Sequence, residues 1–450
     1  MKRFWLALLS LALVVTFSTP VMAVDVKVGG EYYVAGLYLD KTSLRKDAGP
    51  STAFYYQRLR LKTDFIVSPG LSLTAQADIM ERAWGATRSA SGTTLDSWSE
   101  GTRAENENIA FDLLYLTYAS PIGVFMAGYQ YDGLFGTVFA DNARIAGKLS
   151  YTIKYGNLIV GLQTGKTNDG EKSYSAINNV AGAYGADRDY TFYGGIFIYL
   201  WKTGSAGLLW KYMDNRTNRN LVPNVAGYKQ TIYLLDPYVK AKLGPVALQA
   251  EVSYVFGNAT KWEGNPGLIG AQDVSLNGLA GWIDATADLG MFYAGGTFAY
   301  VSGDDFSTKD KSEGGGDQSG GAEWKPCLIL FNSDLTYWAG SQAGYGNVTN
   351  SGPMTNAYFF QLRAGVRPVD KLDVMASVSY AVADKTPQAV WVGRKYGYEV
   401  DLTATYKITN NLSYMLGAGY FFTGDYFKGA SESNELDNNF MVINKLTLTF

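Results

Sequence analysis

Along most of this 450-residue chain, apolar and polar positions alternate in segments of roughly ten to fifteen residues. Between residues 55 and 67, Leu59, Leu61, Phe65 and Val67 fall on one face, and Arg58, Arg60, Lys62 and Asp64 fall on the other. Successive side chains of a strand point to opposite sides, so a period of two predicts β-structure with one apolar and one polar face. The pattern recurs at 145–155, where Leu149, Tyr151 and Ile153 oppose Lys148, Ser150 and Lys154. It recurs at 246–256, with Leu248, Ala250 and Val252 against Gln249 and Glu251, and at 396–408, with Tyr398, Val400 and Leu402 against Glu399 and Asp401. Read this way, the chain holds eighteen strands: 25–39, 54–67, 71–81, 108–119, 123–131, 145–155, 158–166, 189–201, 205–213, 228–243, 246–256, 277–288, 291–302, 356–367, 371–383, 394–408, 412–422 and 439–450. Sixteen is the alternative count if one pair is misread.

The connections alternate as strictly as the residues. Short turns such as Ser68-Pro69-Gly70, Gly156-Asn157, Gly244-Pro245 and Thr409-Asn410-Asn411 are interleaved with long linkers at 40–53, 82–107, 132–144, 167–188, 214–227, 257–276, 303–355, 384–393 and 423–438. All long linkers therefore lie at one end. An even strand number with short turns on one side is the layout of a transmembrane antiparallel up-and-down β-barrel, and strands of about nine to eleven residues suffice to cross a bilayer when tilted. A soluble sandwich would share the alternation but bury its apolar faces. Two features favour the membrane. The series Arg58, Arg60, Lys62 suits a lumen better than bulk water, and aromatics such as Tyr155, Trp201, Tyr398 and Tyr406 gather near strand ends, where amphipathic rings favour the interface.

Composition sharpens this picture. Gly numbers 51, and the 33 Tyr exceed the 22 Phe and 10 Trp together, while Pro numbers only 12. Histidine is absent, which removes Ser-His-Asp catalysis and His-bearing metal or haem sites. Cys327 is the single cysteine, so no intramolecular disulfide can form. Lys2 and Arg3 precede an apolar run from Phe4 to Phe17, and Pro20-Val21-Met22-Ala23 supplies small residues before a cut. This predicts a signal peptide over 1–23, cleaved after Ala23, with a barrel over 24–450. Losing Lys2 and Arg3 takes the formal charge from −3 to −5, which gives no reason to expect a nucleic-acid partner.

Chemistry-bearing motifs reduce to the lumen. Gly161–Thr167 resembles a phosphate loop but has three residues between its glycines where four are needed. The acidic loop at 303–321 lacks the spacing of a cation site, and no metal or cofactor is expected. Arg58, Arg60, Lys62, Lys148, Lys154, Lys211, Lys240, Lys242, Arg363 and Arg367 fall on the inferred inner face, against Asp64, Asp78, Asp112, Glu251, Asp284, Asp373, Glu399 and Asp401. Loop 132–144 is unusually apolar. It either folds inward, setting Asp132, Phe135 and Asp141 as a constriction across from Arg58, Arg60 and Lys62, or it packs on the rim or at a subunit contact. These residues read as a water-filled channel for small hydrophilic solutes or ions with a weak anion preference, and not as an enzyme. The rival is a sheath or export conduit around a partner such as a cytochrome, or for a polymer.

The chain ends Lys445-Leu446-Thr447-Leu448-Thr449-Phe450, an alternating strand closed by an aromatic. With the leader and the repeated hairpins, this resembles a Gram-negative outer-membrane porin. It is similar to eighteen-stranded porins of sulfate- and metal-reducing bacteria and, more distantly, to alginate-export channels, through Tyr300-Val301-Ser302-Gly303-Asp304 and Phe422-Thr423-Gly424-Asp425. The resemblance implies an outer-membrane location amid lipid and lipopolysaccharide, recognition of Phe450 by the barrel-assembly machinery, and assembly as a homotrimer.

Overall fold

The computed structural model describes residues 24–86, 100, 109–170, 187–220, 225–264, 271–314 and 320–450. The expected leader, residues 1–23, and most of linkers 82–107 and 167–188 lie outside them. The alternating segments form β1 (Asp25–Leu39), β2 (Thr52–Ser68), β3 (Leu71–Ala83), β4 (Ile109–Ser120), β5 (Gly123–Tyr131), β6 (Ile145–Tyr155), β7 (Leu158–Asn168), β8 (Tyr190–Trp201) and β9 (Gly204–Asn215). They continue as β10 (Gly227–Leu243), β11 (Val246–Glu263), β12 (Val274–Leu289), β13 (Phe292–Val301), β15 (Ala357–Val369), β16 (Leu372–Ala383), β17 (Lys395–Lys407), β18 (Leu412–Thr423) and β19 (Asn439–Thr449). A two-residue strand, β14 (Lys311–Ser312), sits inside the longest connection and pairs parallel with β12.

The other eighteen strands pair antiparallel with their neighbours, and the sheet closes on itself: Glu31 of β1 lies opposite Thr449 of β19 on one side and Arg60 of β2 on the other. Closure leaves no sheet edge, which is the condition for strands to cross lipid with every backbone group paired. The period-two pattern then decides which face meets what. On β17, Leu402 is 54% exposed while its neighbour Asp401 is 4% and Glu399 0% exposed. Phe111, Leu162, Leu362 and Leu416 are likewise exposed, while Gln76, Lys211, Glu251 and Ser379 are buried. A soluble protein would invert this, so the apolar face is the lipid face and the polar face lines the interior.

On the short-turn side, Gly70, Gly156, Gly244 and Gly290 take φ of 81°, 58°, 60° and 83°, the left-handed geometry that tight hairpin turns require and glycine adopts without strain. At the other end β11 runs seven residues past the expected end at 256, into the expected linker 257–276. Gly257 (φ 133°) and a register shift between Asn258 and Thr260 break the alternation there, which hides the continuation from a strict period-two reading.

The largest cluster of buried apolar side chains is inside the barrel. It joins inner-face residues Tyr33, Tyr56, Phe359 and Phe421 to Trp324, Ile329, Leu330, Phe331, Trp338 and Met354 of the connection between β13 and β15. That connection, expected outside as a long loop, turns back into the lumen. Its helix α1 (Ser333–Ala339) is started by Asn332, whose side chain accepts from the backbone N–H groups of Asp334 and Leu335.

Candidate functional site

Among the described residues two loops enter the lumen, and each is held by inward-facing carboxylates that its own strands do not supply. In the β13–β15 loop, Ile329 and Leu330 donate backbone N–H groups to the Glu399 carboxylate, both at 2.7 Å, and Leu328 donates to Asp401 at 3.3 Å. Gln361 of β15 donates to the Pro326 carbonyl at 2.7 Å, and the Cys327 thiol lies 3.2 Å from Ser379 Oγ on β16. The loop then crosses the lumen: Trp338 stacks on Tyr56 of β2 with ring centroids 4.4 Å apart, and Leu44 of the β1–β2 connection donates to the Ala343 carbonyl at 3.1 Å. Burial, with Glu399 and Asp401 nearby, pushes the Cys327 thiol up from its ordinary range, which leaves it unreactive. Cys327, Glu399 and Asp401 bring ligand atoms within 4.8 Å of one another, but three backbone N–H groups already occupy the two carboxylates, so anchoring the loop accounts for them.

The β5–β6 loop, residues 132–144, uses the same device on β11. Glu251 accepts the Thr137 backbone N–H at 3.2 Å, the Thr137 hydroxyl, and the Ala140 N–H at 3.3 Å. A side chain at Gly136 would overlap that carboxylate. Phe139, fully buried, stacks parallel to Trp282 of β12 and meets the face of Trp324 edge-on. The two loops join there: Gly321 donates to the Phe139 carbonyl at 2.5 Å, Glu323 to the Asp141 carbonyl at 3.1 Å, and Ala322 to Asn142 Oδ1 at 3.2 Å. Loop 132–144 thus folds inward. The Asp141 carboxylate accepts from Phe135 N–H at 2.8 Å, and partial burial pushes its carboxyl up to about 6.

Asp132 does not face the Arg58, Arg60, Lys62 ladder. Its carboxylate lies 2.7 Å from Lys211 of β9 and 3.9 Å from Lys148 of β6, because the loop is pinned toward β11 and β12 by Glu251 and Trp282, on the side away from β2. The ladder finds its counter-charges on adjacent strands instead. Arg60 pairs with Asp78 at 2.7 Å, and Arg58 lies 3.5 to 3.8 Å from Glu31, Asp78 and Glu81. Arg363 pairs with Asp284 at 2.7 Å, Arg367 reaches Asp288 and Asp373 at 3.2 and 3.3 Å, and Lys240 lies over the Tyr238 ring. Lys62, Lys154 and Lys242, toward the short-turn mouth, have no carboxylate within 4 Å among the described residues. Phe450 pairs its backbone with Gly30 of β1, sealing the barrel at that end.

Two cavities border the smaller loop among the described residues. A cavity of about 590 Å³ lies along the inner faces of β8–β11 above loop 132–144, and one of about 260 Å³ lies along β4–β9 beneath it. Both are lined by Asp132, Phe135 and Leu209, where the two spaces adjoin. Sequence reasoning missed the infolding of residues 320–356. The signal was present: Trp324 to Phe331 is too apolar for an exposed loop.

No family model matches the chain, and no curated protein matches it. Among solved structures it is similar to Acinetobacter baumannii OccAB2, at 12% identity over 94% of this chain and 98% of that one, with a TM-score of 0.50. Pseudomonas aeruginosa OccK5 (OpdH) aligns at 13% identity over 94% and 98%, with a TM-score of 0.49. At such identity the likeness to OccAB2 is one of fold: an eighteen-stranded closed barrel of the outer-membrane porin type.

Proposed function

We propose that this chain is an outer-membrane porin, a water-filled passage for passive diffusion of small hydrophilic solutes or ions that performs no chemistry of its own. The observation that carries the reading is the pair of cavities meeting at Asp132, Phe135 and Leu209 on a polar inner face, inside a barrel whose outer face is apolar. Cleavage after Ala23 delivers the barrel to the periplasm, and Phe450 presents the last strand to the assembly machinery. The narrower kinship with porins of sulfate- and metal-reducing bacteria rests on the eighteen-strand hairpin layout, and the more distant one with alginate-export channels on the short passages at 300–304 and 422–425. A weak anion preference would come from Lys62, Lys154 and Lys242 at the short-turn mouth, since the middle of the lumen has its cations matched. The sheath alternative is disfavoured by the infolded loops, which fill the space a folded partner would need. Purified protein in planar bilayers tests the proposal: stepwise, ohmic conductance supports it, and a folded barrel that passes no current removes it.

A further inference from the structure

A wall that sorts ions keeps charge exposed to the passage, and the smaller cavity, beneath loop 132–144, keeps almost none. Its charged lining residues are Asp132 and Lys148, 3.9 Å apart, and the Lys148 ammonium also donates to the Tyr131 carbonyl at 2.6 Å. Lys211 holds the Asp132 carboxylate at 2.7 Å from the larger cavity, and Asp236 stands diagonally across from Lys211 on β10. Two carboxylates thus face two ammonium groups. The side chains of Asp132, Lys148 and Lys211 are 14%, 10% and 6% exposed, and Asp236 is 4% exposed. The polar groups that do reach the space are neutral. The Tyr115 hydroxyl, the Thr152 hydroxyl and the Gln163 carboxamide line it from half-buried residues, and none of them bonds to another described residue. Gln163 stands opposite Ser150 on β6, two positions from Thr152, and Tyr115 lies three strands away on β4. At about 4.8 Å per strand, Tyr115 and Gln163 are about 14 Å apart across the sheet, which leaves room for a solute between their side chains.

We propose that this cavity is a binding station for a small neutral polyol, a molecule with a hydroxyl on most of its carbons. Each hydroxyl of such a solute donates and accepts. So do the Tyr115 and Thr152 hydroxyls, and the Gln163 carboxamide offers both functions side by side, so successive hydroxyls can pair with all three. The C–H groups lie against Met126 and Phe135, giving the mixture of apolar wall and few placed polar groups usual for small-ligand sites. An ion finds no unpaired countercharge to offset the loss of its hydration. The volume of about 260 Å³ lies just below the range of about 300–1,000 Å³ usual for drug-sized ligands, so the solute has few carbons. The station deepens the porin reading and rests on it, naming the solute class that the passage holds.

The test is saturation-transfer NMR on the full chain folded in an amine-oxide detergent, which has no sugar headgroup to compete. Xylitol is the probe, with triethylene glycol as a neutral control of similar mass and sodium xylonate as the anionic control. Saturable binding of xylitol is expected, several times tighter than that of either control. Gln163→Leu should weaken it about tenfold, and Tyr115→Phe, which removes a hydroxyl and keeps the ring, about threefold, the losses expected for neutral hydrogen bonds. Heat-modifiable migration verifies that each variant is folded. No saturable xylitol binding, a control bound as tightly as xylitol, or unchanged binding in either folded variant would overturn the station. Bilayer recordings on the same preparation separate this from the channel reading: conductance without xylitol binding overturns the station alone, and xylitol binding without conductance overturns the channel alone.

Discussion

The two halves of the lumen solve one problem with opposite results. Both inner walls carry buried carboxylates, and in both those carboxylates accept backbone N–H groups from a loop that has entered the barrel: Glu399 and Asp401 on β17, Glu251 on β11. On the β15–β19 side the loop brings Trp324, Ile329, Leu330, Phe331 and Trp338, which pack into a buried apolar cluster. On the β4–β11 side the loop has thirteen residues, its Leu134 and Val138 stay exposed, and cavities remain above and below it. An anchor of this kind fixes where a loop sits, while the bulk of the loop decides whether the lumen is plugged or merely narrowed.

Removing the larger loop should have the largest effect. Replacing residues 322–352 by a short Gly-Ser linker should leave the barrel folded, because the strand ladder does not pass through the loop, and should raise unitary conductance severalfold. An unchanged conductance would mean that the plugged half was never closed. Glu399→Ala acts on the same region more gently. It strands the Ile329 and Leu330 N–H groups, each unpaired buried group costing about 1–3 kcal/mol, so the loop should become cleavable by limited proteolysis near Lys325 while the strands resist.

Those strands were legible in the sequence because lipid on one side and a polar lumen on the other enforce period two along nearly their whole length. The inner-face carboxylates were legible by the same rule; their employment was not. Glu399 meets Ile329 across 70 residues and Glu251 meets Thr137 across 114, and no local pattern specifies such partners. Asp236 could have been reached by counting back in even steps from Lys240, but its setting between Leu235 and Pro237 reads as apolar strand. The apolar character of 132–144 announced an inward loop without saying which wall would hold it. Asp132 meets Lys211 because Glu251 and Trp282 pin the loop toward β11 and β12, contacts that lie more than a hundred residues away in sequence.

Smaller effects sharpen the narrowed half. Phe139→Ala removes the ring between Trp282 and Trp324 and should destabilise the junction of the two loops by about 3–5 kcal/mol, the usual cost for a buried Phe. The readout is increased gating noise in single-channel records, with little change in mean conductance. The smallest effect is a pH dependence. The Asp141 carboxyl is raised from its ordinary 3.8 to about 6 by burial, so the docked loop holds a proton that the undocked loop releases. Docking is then strongest below about pH 4, weakens as pH rises through 6, and is flat above that. Gating noise should rise over that window in the native chain and stay level in Asp141→Asn.

In the proposed channel, solutes should pass along the β4–β9 wall and not along β15–β17. This route is tested by single cysteines placed in a Cys327→Ser background and challenged with a bulky thiol reagent during bilayer recording. Gln163 lines the open cavity on β7, whereas Ser379 on β16 is 1% exposed beneath the large loop. The reagent should reduce current through Gln163→Cys channels and leave Ser379→Cys channels untouched. Block at residue 379 with none at residue 163 would contradict it.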